Sequence, residues 1–283
     1  MDRIAAGARS AVLLALIALG IVTAVWGIWM FFRQSRIVFR PGRELLGDPS
    51  DVGLAFEDVY LRLSNGVRVH GWWIPGEERG KVILCFPGSI GNISHELTTA
   101  SFLRRAGANV LIVDYPGFGR SEGHPSEGGC YLAASAAWKY AIEEKGIRPE
   151  DATVFGRSLG GTVAAWLAAR HPDCARLVIH SAFTSVPDLA ARAYPFFPVR
   201  YFCYIRFNTV RQIRACRCPV VVMHPTADSI VPVHHSTRIL EEAPEPKRFV
   251  ALQGDHYGSE WQDTPGLQPA LGHLILGEGG ACA

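Results

Sequence analysis

Apolar runs of a few residues recur along the chain beyond residue 80. Each is stopped by glycine, proline or a polar loop and is separated from the next by a helical pattern. KVILCF (81–86), NVLIVDY (109–115), RLVIHSAF (176–183), PVVVMHP (219–225) and RFVALQ (248–253) are near-continuous rather than alternating, the pattern of strands buried on both faces. A shorter run, TVF (153–155), belongs to the same series. Upstream, FEDVYLRL (56–63) and VRVHGWWI (67–74) flank Ser64-Asn65-Gly66 and predict an antiparallel hairpin with its turn at Asn65-Gly66. Helices are expected over about 94–105, 129–145 and from 162. Buried strands alternating with helices after an N-terminal hairpin predict an α/β fold: a mostly parallel central sheet with helices on both faces.

The first forty residues follow a different pattern. AVLLALIALGIVTAVWGIWMFF (11–32) has no charge and, as a helix, spans about 33 Å, enough to cross a bilayer. Trp26, Trp29, Phe31 and Phe32 gather at its C-terminal end, as in an interfacial aromatic belt. The aromatics and Arg33 do not suit a cleavage site, so an uncleaved single-pass anchor is expected. Arg33, Arg36, Arg40 and Arg43 follow the span and only Arg3 and Arg9 precede it, which places the C-terminal domain on the cytoplasmic side. The expected organisation is an anchor over 1–36, a domain over 37–275 with a short cap at about 187–215, and a flexible tail over 276–283.

Candidate chemistry centres on VFGRSLGG (154–161), where a strand breaks at Gly156 and a small-residue helix follows. The pattern Gly156-Arg157-Ser158-Leu159-Gly160 in that context is a turn so sharp that the serine backbone must be strained, tolerable only beside tiny residues. A serine hydroxyl needs a base, and the base needs an acid to orient it. Asp228 follows the 219–225 run and His256 follows the 248–253 run, both at the carboxyl ends of predicted strands, where Ser158 also lies and where ligands of such sheets bind. Among ten histidines, only His256 combines a strand end, nearby glycines and a position after both Ser158 and Asp228. Asp255 is its neighbour, but adjacent side chains diverge, so Asp255 is expected to serve the loop; Asp114 precedes the serine and reads as a loop anchor. Backbone donors for an oxyanion are expected at Leu159 and, from the loop PGSIGN (87–92), at Ser89.

Charge and cysteine content remove other classes. The net charge of +2, with no basic run, argues against nucleic acid as a partner. Seven scattered cysteines are an odd number, and Cys216-x-Cys218 lacks the second pair that a zinc site needs, so no metal or other cofactor is expected.

FPGSIGN, VDYPGFGRSEGHPSEGG, VFGRSLGG, SAFTSVPDLA, CPVVVMHPTADSIVP and GDHYGSEW occur in an order that resembles the α/β-hydrolases of the serine-aminopeptidase and lysophospholipase-like type, specifically the branch with one N-terminal membrane anchor and a small cap. The resemblance implies an α/β-hydrolase fold, a triad of Ser158, Asp228 and His256, oxyanion donors at Ser89 and Leu159, and cleavage of esters, thioesters or lipid acyl bonds. It leaves open a peptidase or acyltransferase on the same triad, or a non-catalytic scaffold. The family's oxyanion loop usually begins His-Gly; here it is Pro87-Gly88, which questions how the loop is held. Finally, AYPFFPVRYFCYIRF (193–207) is strongly aromatic and is expected either to roof a hydrophobic substrate pocket, for a small-molecule or lipid acyl substrate, or to pack as core. Oligomeric state is left open.

Overall fold

A computed structural model of the chain describes residues 2–277. Helix α1, Asp2–Val38, runs unbroken past the end of the apolar run and feeds β1, Arg40–Pro41. The hairpin forms as expected from β2, Glu57–Arg62, and β3, Arg68–Ile74. Then come β4, Glu78–Phe86, the two-residue β5, Ile90–Gly91, helix α2, Leu97–Arg104, and β6, Ala108–Val113. Helix α3, Glu127–Lys139, precedes β7, Ala152–Arg157, helix α4, Leu159–Ala168, and β8, Arg176–His180. Three short helices, α5 (Val186–Ala193), α6 (Val199–Phe202) and α7 (Thr209–Ile213), lead to β9, Val220–Pro225. The chain closes with α8, His234–Glu242, β10, Lys247–Leu252, and α9, Leu267–Leu276.

Eight strands form one sheet in the order β10-β9-β8-β7-β4-β6-β3-β2. Contacts are parallel from β10 to β6; only β3 with β6 and β2 with β3 are antiparallel. The near-continuous apolar runs of β4, β6, β8 and β9 are explained by burial on both faces, whereas the 248–253 run forms β10, an edge strand that is only partly buried. Val82, Leu84 and Phe86 of β4 point into one core layer, and Ile83 and Cys85 into the other. The six described cysteines are buried and unpaired.

Local differences from the sequence reading have local causes. Helix α3 starts two residues earlier than expected because the Ser126 hydroxyl accepts the Gly129 amide at 3.0 Å and caps it. Its last turn, Tyr140–Glu144, widens into a π-helix. The helix expected from 94 is entered through a 3₁₀ turn, Ile93–Glu96, capped by the Asn92 side chain. Of the expected tail, Leu276 completes α9 and Gly277 caps it, and the remainder lies outside the described residues.

The largest departure concerns the aromatic segment before α7. It packs against the C-terminal turns of α1 instead of over the serine. The Trp26 ring lies 4.0 Å from that of Phe197 and 5.3 Å from that of Tyr194. Met30, Val199 and Cys203 form a small separate core. The Gln34 amide group donates to the Phe202 carbonyl at 2.6 Å and accepts the Tyr204 amide at 2.9 Å. The physical reason is that α1 supplies both an apolar face and a buried Gln34 amide matching the segment's backbone groups, so the aromatic residues are satisfied there.

Candidate active site

Strand β7 ends and α4 begins within two residues, and Ser158 sits between them at φ 54°, ψ −119°. That conformation is costly for any residue with a Cβ, by about 1–3 kcal/mol, and persists only if the surroundings over-determine it. They do: a Cβ at Gly156 would collide with the Gly160 carbonyl, and one at Gly160 with the Phe86 carbonyl. The Ser158 amide is tied to the His180 carbonyl of the neighbouring strand at 2.8 Å. The strain predicted from the motif is therefore present at the predicted residue.

The structure brings Ser158, His256 and Asp228 into one chain of hydrogen bonds. His256 Nε2 is 3.2 Å from Ser158 Oγ, and His256 Nδ1 is 2.7 Å from Asp228 Oδ2. Asp228 Oδ1 accepts the amides of Ile230 at 3.0 Å and Val231 at 2.7 Å, so its other oxygen is turned to the histidine. An acceptor-only carboxylate at Nδ1 assigns the proton there and leaves Nε2 free to accept from the serine hydroxyl. Asp255 does serve the loop: its carboxylate accepts the amides of Ser229 and His256, both at 2.7 Å, binding the acid loop to the histidine loop. His224, held neutral by burial, spans the Ser236 hydroxyl and the Val231 carbonyl beneath the acid loop.

Gly88, Ser89, Ile90, Ser158, His256 and Tyr257 line a cavity of about 250 Å³. Leu159 is buried directly behind Ser158, and its amide is the first of α4, with no carbonyl one turn back within the helix to bind it. The loop that starts with Pro87 is held from outside. The amides of Arg40 and Gly42 donate to the carbonyls of Ser89 and Gly91, at 2.8 and 2.7 Å, in the β1–β5 pairing, and the Tyr115 hydroxyl donates to the Pro87 carbonyl at 2.9 Å. No residue of the aromatic segment 193–207 lines this cavity; of the two expectations for it, pocket roof or packing, the structure shows packing, largely on α1.

Comparison with known proteins places this architecture. Residues 81–202 match the model of the α/β-hydrolase fold. The chain is 31% identical to the α/β-hydrolase domain-containing protein WAV2 of Arabidopsis thaliana over 246 residues, covering 79% of this chain and 80% of WAV2. The chain belongs to the α/β-hydrolase family. It is also 33% identical over 244 residues to the uncharacterized protein Rv2307c of Mycobacterium tuberculosis, covering 86% of this chain and 85% of that one. Among solved structures, the Pyrococcus furiosus esterase Pf2001 superposes on this α/β hydrolase with a TM-score of 0.66 at 20% identity, covering 84% of this chain and 98% of the esterase. Est1E of Butyrivibrio proteoclasticus, solved with ferulic acid bound, does so with a TM-score of 0.63 at 18% identity, covering 76% and 96%.

Two residues of this α/β hydrolase that the sequence reading passed over stand against the site. Arg157, the variable position of the elbow motif, is largely buried, with Nη1 3.0 Å from Glu96 Oε1 and Nη2 2.5 Å from the His256 carbonyl. It thus ties the serine elbow, the 3₁₀ turn after the Pro87 loop and the His256 loop together. Its sequence signal was a charge at the end of a buried strand, where an unpaired ion is too costly to keep. Replacing Arg157 by methionine is expected to destabilise the protein by about 3–5 kcal/mol, because Glu96 is left buried without a counter-charge. Adding Glu96→Leu should recover most of that loss, as read from chemical-denaturation midpoints in detergent.

Asp114 anchors the loop as expected, accepting the Ile93 amide at 2.9 Å, but its second oxygen has no hydrogen-bond partner and faces Gly119. Burial raises its pKa to about 8. The folded state therefore keeps this proton while the unfolded state loses it above pH 4, so the residue costs stability progressively as pH rises from 4 to 8. Asp114→Asn keeps the acceptor and removes the charge. The variant should gain on the parent across that window by up to about 1.4 kcal/mol per pH unit. Unfolding midpoints measured at pH 5 and pH 8 test this, and a difference independent of pH would refute it.

Proposed function

We propose that this α/β hydrolase is a membrane-anchored serine hydrolase that cleaves carboxylic ester, thioester or lipid acyl bonds through an acyl-enzyme. The observation that carries the reading is the hydrogen-bonded chain Ser158–His256–Asp228 opening on a cavity beside the Pro87 loop. Ser158 Oγ attacks the acyl carbonyl as His256 Nε2 takes its proton. Asp228 holds the tautomer and stabilises the imidazolium. The Leu159 and Ser89 amides bind the oxyanion; His256 then protonates the leaving group, and water activated by the same histidine releases the acyl group. No metal or organic cofactor takes part in these steps. The esterases of similar fold support an ester as the bond cleaved, and we expect acyl esters to be preferred over peptides. The test is labelling by a fluorophosphonate probe together with turnover of p-nitrophenyl acyl esters. A chain that neither reacts with the probe nor hydrolyses any ester, or that turns over short peptides and not esters, would refute the reading.

The reading includes retention of α1 as a single membrane span. It is supported by the exposed apolar run 11–25 and by the use of α1 in the fold, since cleavage near Arg33 would remove Trp26 and Met30 and uncover Val199 and Cys203. The arginines after the span favour a cytoplasmic hydrolase domain. A cysteine at Asn65 that reacts with an impermeant maleimide in intact cells would place the domain on the other side.

A further inference from the structure

The segment that packs on α1 does so at a depth that matters if α1 spans a bilayer, and the inference rests on that reading. Trp26, Gly27, Met30, Phe31 and Gln34 lie on one face of the helix and form the contact. The Phe202 ring fills the space where a side chain at Gly27 would be, and Phe31 and Tyr204 rings are 5.0 Å apart. The uncharged run ends at Phe32, and Trp26 lies six residues, about 9 Å, deeper along the axis. Any plane that leaves the apolar run in hydrocarbon therefore leaves the tip of the segment below the headgroups, at the 5–10 Å depth of interfacial helices.

The segment's composition suits that position. Phe196 and Tyr201 are 102% and 87% exposed, turned away from the protein core. Arg192, Arg200 and Arg206 flank or interrupt the aromatic residues, Arg200 being paired with Asp188 at 3.2 Å, and no acidic residue lies between Leu189 and Cys218. Aromatic tips with surrounding cations fit the boundary of an anionic bilayer.

We propose that residues 194–204 are a second membrane contact, immersed beside the anchor with Phe196 and Tyr201 at the acyl–headgroup boundary. The consequence for the site follows from connectivity. One residue, Phe39, and at most about 7 Å separate the end of α1 at Val38 from Arg40, whose amide is bonded to the Ser89 carbonyl in the cavity wall. Anchor and segment together hold the cavity at the membrane surface, where a lipid acyl substrate partitions.

The test uses the full chain in vesicles of phosphatidylcholine with phosphatidylglycerol. Cys282→Ser removes one thiol, and the other six cysteines are buried. Spin labels are placed singly at Leu16, Phe196, Tyr201 and Asn65. Collision with oxygen, which concentrates in lipid, is compared with collision with an aqueous nickel chelate. Labels at 16, 196 and 201 should favour oxygen, and the label at 65 nickel. Nickel-dominated labels at 196 and 201, with 16 still favouring oxygen, would overturn the second contact and leave the anchor. A nickel-dominated label at 16 would overturn the anchor and the inference with it. In a parallel measurement, Phe196→Ser/Tyr201→Ser should keep the rate on a soluble short-chain ester and lose at least tenfold on an ester embedded in the vesicle. An unchanged vesicle rate would overturn the proposal, whereas no hydrolysis of either ester by the parent would refute the hydrolase reading and leave the spin-label result standing.

Discussion

Ser158→Ala is expected to lower ester hydrolysis by at least about 10⁴-fold and to abolish fluorophosphonate labelling, since it removes the hydroxyl that is hydrogen-bonded to His256 Nε2. A companion variant separates chemistry from folding. At φ 54°, glycine is free of the Cβ clash that serine carries. Ser158→Gly should therefore be as inactive as the alanine variant while unfolding no more easily than the parent. Full activity in either variant would mean that another nucleophile operates. An alanine variant that fails to fold is interpreted through the glycine variant, whose strain is lower.

The second large effect separates two acids that flank the histidine. Asp228→Asn should lower turnover by about 10⁴-fold, because an amide at Oδ2 can donate to Nδ1 and so favours the wrong imidazole tautomer. Asp255→Asn should cost far less. Its carboxylate is exposed and receives backbone amides and the Ser229 hydroxyl, none of them from the imidazole ring, and an asparagine oxygen still accepts from those donors. Measured kcat for the two variants, alongside their unfolding midpoints, decides between them. If Asp255→Asn proved the more damaging, the role given to Asp228 would be wrong.

What was legible in the sequence follows from how locally each feature is determined. The sheet was readable because strands buried on both faces must be apolar at successive positions, and β4, β6, β8 and β9 are. The elbow was readable because its strain is imposed by glycines two residues on either side of Ser158 and one beyond. Asp228 and His256 could be picked out because carboxyl ends of parallel strands converge on one edge, so position along the chain stands in for position in space. Arg157 and Glu96 escaped because they are 61 residues apart, and no pattern in either neighbourhood reveals the other. The support of the Pro87 loop escaped for the same reason, since its partner is a two-residue strand that has no signature of its own.

The aromatic segment 193–207 marks the boundary between the two kinds of information. Its composition determines that it must bury or cover apolar surface, and the 11–32 run makes α1 long and apolar enough to cross a membrane. Neither property says where the segment goes, because a hydrophobic surface is indifferent to which apolar partner it meets. Tertiary structure decided that, through the one contact that is directional: the Gln34 side chain, donating to the Phe202 carbonyl and accepting the amides of Tyr204 and Ile205, beside a glycine that lets the Phe202 ring approach. Ser158, Asp228 and His256 were thus legible from chain-local patterns, while the relation of α1, aromatic segment and cavity came only from groups brought together in three dimensions.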